Sequence, residues 1–242
     1  MEPIPYFDAH CDTIYRCLRT GEQYRDTDPE LYAFYQTGHA LRENAGHIDL
    51  RRAAAFGQFA QVFALYQDPA EVPPGSTMVR EGRLLHQKFL REMEENRDVI
   101  VHCRTGRDVD RAVKDGKMAA LLSIEGADLM DCDPDQVETA AAWGVRFLNP
   151  VWNWPNVLSG TNCRDTDRGL SPRAPTSCGG WRSAVSTQTC PTSATRGSGT
   201  WCVWPGGRWR PPTPTAGPCV PTGATSPMTC SGPSGTAAAW WG

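Results

Sequence analysis

The chain has 242 residues, enough to bury a sizeable core in one large domain or two modest ones. Its net charge of -3 hides an asymmetry: all 27 acidic residues and 19 of the 24 basic ones lie up to Pro172, so that region has no basic face for a phosphate backbone. No apolar run approaches the roughly 20 residues of a membrane helix, and MEPIPYFDAH lacks the basic and apolar regions of a signal peptide. The expectation is a cytoplasmic protein without nucleic-acid or membrane partners. The 10 cysteines split evenly across Pro172 and form no CxxC pair, which argues against a secreted disulfide framework.

Up to Pro172, strand-like and helix-like segments alternate. PYFDAH reads as a short strand ending in polar residues. DPELYAFYQTGHALREN reads as a helix or a pair of turns, with Asp28 as cap and Pro29 in the first turn. GQFAQVFALY is an apolar, aromatic-rich strand. In STMVREGRLLHQKFLREMEENR, Met78, Leu84, Leu85, Phe89 and Met93 recur at helical spacing, with Ser76 as the expected N-cap. There follow a short strand DVIVHC, a helix from Thr105 to Lys114, the apolar run KMAALLSIEGAD, a helix opened by Asp133 and Pro134 and running through Trp143, and the strand GVRFLNPV. Nearly continuous apolar strands separated by helices predict a parallel sheet covered on both faces. Strand ends carrying His, Asp and Glu point to a (β/α)₈ TIM-type barrel, whose chemistry sits at the carboxyl ends of its strands. A doubly wound sheet is the alternative, but its usual Gly-rich phosphate loop is replaced here by HCDT.

The stretch FDAHCDT carries the first chemistry. His10 and Asp12 stand two apart, so their side chains leave the strand on one side and can converge on an ion. Mixed nitrogen and oxygen ligation suits zinc or a similar divalent cation. Such a pair also fits two structural polar residues; Glu125 shifts the balance. It ends AALLSIEG, where a bare carboxylate is costly to bury without a cation or donors, and it can bridge two ions. The alternative for Glu125 is a salt bridge to Arg146. His102 also lies at a strand end but is expected to be structural. His39, His47 and His86 are expected at the surface or as caps, and Cys11 as a small core residue. Trp152 and Trp154 can line a pocket floor, with core packing expected for at least one.

FDAHCDT, RENAGHIDLRRAAAFGQFAQVFALY, KMAALLSIEGAD, GVRFLNPVWNWPN and DTDRGLSP, in that order and spacing, resemble the zinc dipeptidases related to renal (membrane) dipeptidase, in their bacterial form. The resemblance runs from about residue 6 to Pro172. It implies a (β/α)₈ barrel, a dipeptide substrate, a possible homodimer in the intact protein, and two zinc ions with a metal-bridging hydroxide that attacks the peptide bond. Carried over, it makes His10 and Asp12 ligands of the first ion and Glu125 the bridging, catalytic carboxylate. Trp152 stands where many members have a substrate-contacting His, which leaves the substrate preference open. The second ion's two His from later strands have no counterpart, because no His follows His102.

From Arg173 the composition changes abruptly. This stretch has no Leu, Ile, Phe, Tyr, Asn, His, Lys, Asp or Glu, yet it holds six of the nine Trp. Disordered linkers are rich in Glu and Lys and poor in Trp, so it is not an ordinary linker. Read one base out of phase, its codons permit DVSHLSD across Gln188 to Thr195, ASHSN across Arg210 to Thr215, NLTDDMFRAI across Ala224 to Ser234, and GGVVG at the end. These four resemble, in order, later segments of the dipeptidase family. The expectation is therefore a reading-frame shift near Pro172–Arg173. Residues 1–172 are then the N-terminal half of a barrel, and 173–242 an out-of-frame or disordered tail. Half a barrel leaves open edges and an uncovered apolar face, so this chain is expected to be poorly folded or inactive. Two rival functions remain: another metal-dependent barrel amidohydrolase, and a non-enzymatic protein whose Trp/Cys/Pro-rich tail is a binding segment.

Overall fold

The computed structural model describes residues 6–36, 38–161, 164, 165, 167–169 and 171, and the backbone of 186–189 and 201–204. Four strands form a parallel row: β1 (Tyr6–Cys11), β2 (Phe59–Tyr66), β4 (Met118–Glu125) and β5 (Val145–Asn149). Their order follows the chain without the reversal of a doubly wound sheet, as a barrel wall requires. The short strand β3 (Ile100–His102) does not take a place in that row, contrary to the sequence expectation. β2 pairs directly with β4, and β3 runs beside only the first residues of β4, His102 standing opposite Ala120. Two further strands, β6 (Ser186–Thr189) and β7 (Trp201–Trp204), continue the sheet beyond β5 in antiparallel sense. The rest of the stretch from 173, with its expected non-native character, lies outside the described residues.

The helices follow local signals. Around α1 (Thr13–Leu18), Ile14, Tyr15 and Cys17 are buried. Asp28 accepts from Leu31 N at 2.9 Å and starts α2 (Pro29–Gln36), and Asp49 caps the short α3 (Leu50–Ala53). The long α4 (Met78–Glu95) is capped by Thr77, which accepts from Arg80 N. The expected cap, Ser76, instead donates its hydroxyl to Glu81. Thr105 and Asp108 form a reciprocal capping box at the start of α5 (Gly106–Lys114). A 3₁₀ turn (Pro134–Gln136) leads into α6 (Val137–Trp143), as Asp133 and Pro134 foretold.

Strand alternation sorts the core into two sides. Phe59, Phe63 and Leu65 of β2 meet Leu85, Phe89 and Met93 of α4, with the Phe63 and Phe89 rings 6.0 Å apart. Each such side chain contributes about 1.5–3 kcal/mol when fully buried. On the other side Ala60, Val62, Ala119 and Leu121 are small enough to admit Ala112 of α5 and Cys103. Further along that side, by the same alternation, stand Ser123 and Glu125. β2 is buried throughout and β4 at every residue but Glu125, so the expected uncovered face is absent from these two strands; β1, by contrast, is largely exposed. One close approach fixes α4: a Cβ on Gly82 would lie 3.0 Å from the carbonyl oxygen of Leu129, in the segment that follows β4. No helix among the described residues is long and apolar enough to cross a membrane.

Candidate metal centre

β1 ends at Cys11, which faces inward, while His10 and Asp12 emerge on the other side. Cys11 is a buried core residue, and that burial pushes its thiol pKa up to about 12. Asp12 occupies the cap position of α1 but makes no side-chain capping bond, which leaves its carboxylate available. Glu125 is the last residue of β4. Parallel pairing of β1 with β2 and of β2 with β4 brings these distant segments to one end of the sheet.

There His10 Nε2 lies 3.4 Å from Asp12 Oδ1 and 3.4 Å from Glu125 Oε2. One ligand atom from each residue falls within 4.8 Å of the other two. Four-coordinate zinc with bonds of about 2.0–2.1 Å sets its ligand atoms about 3.3 Å apart, so the two imidazole–carboxylate separations match an edge of that tetrahedron. His10 and Asp12 side chains are 42% and 48% exposed and Glu125 is 15% exposed, which makes an accessible centre with one deep ligand.

The electrostatics fit a cation. The hydrogen bond with Asp12 is the main influence raising the His10 pKa; burial opposes it, and the charges of Asp12, Glu125 and Asp8 add to it. Burial raises the Glu125 pKa, with the Asp12 charge pushing the same way and His10 and a side-chain hydrogen bond from Asn149 opposing. Two carboxylates crowded on one imidazole, one of them short of solvent, are the donor set that a divalent ion stabilises. Among the described residues this is the one such group of His, Cys, Asp and Glu.

The alternatives for these residues do not form. Arg146 donates to the carbonyl oxygens of Arg104 and Val145 at 2.5 and 2.6 Å, not to Glu125. His102 is at the amino-terminal end of β4 and cannot share the mouth with Glu125; it packs edge-on against Phe89, 4.9 Å between ring centroids. His86, expected at the surface, stacks on Trp143 at 4.3 Å. His39 is partly buried, with its carbonyl accepting from Lys88, and His47 is exposed. Trp152 packs against Tyr66, 4.7 Å away, and Trp154 lies under the Arg164 guanidinium at 3.7 Å. Tyr66 and Asn149, which flank Glu125 in the sheet, were missed from sequence; only the register of three strands reveals them.

The profile of the membrane dipeptidase family, Peptidase family M19, matches residues 1–176. A protein of Acinetobacter calcoaceticus known as an uncharacterized protein in the PQQ-III 3′ region is 24% identical over 194 residues, covering 69% of this chain and 57% of its own length. Among solved structures, dipeptidase AC, a metallo peptidase of family M19, is 26% identical with a TM-score of 0.53 over 72% of this chain and 52% of its own. A metallo peptidase from Rhodobacter sphaeroides, solved with a phosphinate mimic of the dipeptide L-Ala-D-Ala, is 24% identical with a TM-score of 0.54, covering 72% of this chain and 54% of its own. The probable dipeptidase PvdM from Pseudomonas aeruginosa shares the fold at 16% identity and a TM-score of 0.57, over 76% of this chain and 45% of its own. The chain thus spans about half the length of the proteins it matches.

Proposed function

This chain belongs to the membrane dipeptidase family, Peptidase family M19, and from that premise we propose that His10, Asp12 and Glu125 hold a divalent cation, zinc by donor type, in a centre built to hydrolyse dipeptides. The observation that carries the reading is the pair of 3.4 Å separations from His10 Nε2 to the two carboxylates. The likeness to dipeptidase AC supports the substrate class. A bound ion of this kind supplies Lewis acidity, lowering the pKa of a water and polarising a carbonyl.

The chain's own residues divide the work. Glu125 supplies the deep carboxylate and Asp12 the outer one, while His10 between them supplies neutral nitrogen when deprotonated. Trp152 packs edge-on against Tyr66, the strand neighbour of Glu125, and is the proposed substrate contact. Among the described residues the donor set suits one ion, and the second ion of the family resemblance lacks its two His, because no His follows His102. The 242-residue chain is therefore proposed to bind one ion without turning over dipeptides.

Zinc titration of the purified chain, with dipeptide hydrolysis assayed in parallel, tests both halves. One tightly held ion, released by a chelator, supports the centre; no uptake refutes it. Chelator-sensitive hydrolysis would refute the proposed inactivity.

A further inference from the structure

Glu125 is the middle residue of a single rung across three parallel strands: Tyr66 of β2 stands opposite it on one side and Asn149 of β5 on the other. Registered residues of parallel neighbours project their side chains to one face, so all three rise together at the carboxyl end of the sheet. Tyr66 contributes bulk; it is buried and wedged between Tyr15, 5.5 Å away, and Trp152. Asn149 stands next to Glu125 in this rung, where its amide can donate to the carboxylate, and it lowers the acid's pKa against the effect of burial.

Asn149 is itself held from several directions. Its carbonyl oxygen accepts from Gly126 N at 3.0 Å, and the next carbonyl, of Pro150, accepts from Ala127 N at 3.0 Å. Asn156 closes the clasp, donating at 2.8 Å to both Pro150 O and Asp128 Oδ2. The backbone following β5 is thus tied to the backbone following β4, immediately beyond Glu125. A carboxylate at a strand end has three torsions to fix, and a donor on a clamped backbone fixes them better than solvent does.

We propose that Asn149 is a positioning residue for Glu125, holding the carboxylate in the orientation that meets His10 and a shared ion. This rests on the reading of His10, Asp12 and Glu125 as a metal centre. Zinc affinity in a double-mutant cycle tests it. Asn149→Leu removes the donor while keeping the branching at Cγ and is expected to weaken zinc binding by about 10–100-fold, the usual cost of losing an outer contact to a metal ligand. The same change in a Glu125→Gln background is expected to cost almost nothing further, because the group being positioned is gone. A merely structural role would lower affinity equally in both backgrounds, and that result overturns the proposal, as does unchanged affinity for Asn149→Leu alone. Asn149→Ser, too short to reach the carboxylate, carries the same expectations should Asn149→Leu fail to fold. Zinc binding by the parent chain separates the two claims: no uptake by the parent overturns the metal centre and this inference with it. Uptake by the parent with an indifferent Asn149→Leu overturns this inference alone.

Discussion

The imidazole of His102 fills the space that a side chain on Gly144 would need: a Cβ at 144 would stand 2.4 Å from His102 Cε1. Gly144 also ends α6 at φ +89°, a conformation that other residues adopt only with strain. Gly144→Ala is expected to cost at least about 2 kcal/mol, from left-handed backbone strain plus displacement of the ring. Urea unfolding measures this, and a loss below half that figure would show that the ring yields freely.

His102 itself should make the fold acid-sensitive. Burial lowers its pKa to about 4; the Arg104 and Arg146 charges and His86 push the same way, and a backbone hydrogen bond with Gly144 opposes them. The unfolded chain therefore takes up the proton first on acidification. Stability from this group is complete above about pH 6.5, declines as pH falls towards 4, and levels off below. The total is about 3 kcal/mol. His102→Leu should flatten that part of the stability–pH curve, and parallel curves for parent and variant would contradict the assignment.

Glu81 is expected to be a structural linchpin. It accepts from Arg19 at 2.7 Å and from the Ser76 hydroxyl, and its side chain is only 2% exposed. Glu81→Ala leaves the guanidinium of Arg19, 13% exposed, with the neutral Gln67 side chain and the Tyr15 ring but no opposite charge, which should cost about 3 kcal/mol. Thermal and chemical unfolding would register this as a large fall in midpoint; a change under about 1 kcal/mol would mean that Gln67 and the Tyr15 ring suffice to hold Arg19.

Replacing the deep ligand should reveal the metal directly. Glu125→Gln is expected to weaken zinc binding by at least about a hundredfold, since even outer contacts to metal ligands cost about 10–100-fold. Competition with a chromophoric chelator reads this out. Equal affinity in parent and variant would place any bound zinc elsewhere.

The reading-frame proposal has the simplest check. The nucleotide sequence around codon 172, read in all three phases, should show an open frame that continues past the break and encodes two His in the order proposed. A codon pattern that fits only the printed frame would make the stretch from 173 an authentic part of the protein.

Much of this architecture is legible in the residues. FAQVFALY and MAALLSIE are nearly continuous apolar runs, interrupted by Gln61 and Ser123, because both strands are buried on two faces; Glu125 stands out as the carboxylate that ends the second, and His10 and Asp12 as polar groups at the end of the first strand. What escapes is what depends on register. Asn149 in FLNP resembles turn punctuation, and Tyr66 resembles one more aromatic in a strand, until pairing sets both beside Glu125. The short segment DVIVHC reads as a barrel strand because local pattern cannot say which neighbour a strand will take. His86 carried a signal that went unused: with Gly82, Leu85, Phe89 and Met93 it falls on the inward stripe of α4, which explains its ring against Trp143.

Gly82 gives that helix a reach beyond packing. Since α4 approaches the backbone at Leu129 so closely that a methyl group at 82 would have to press its carbonyl oxygen back, the chain leaving Glu125 is seated on a helix from the opposite side of the sheet. A substituent at position 82 would push on the outgoing chain rather than on a yielding side chain. The geometry of the ligand cluster is in this sense underwritten from behind, and sequence drift on the outer helix is constrained by chemistry it never contacts.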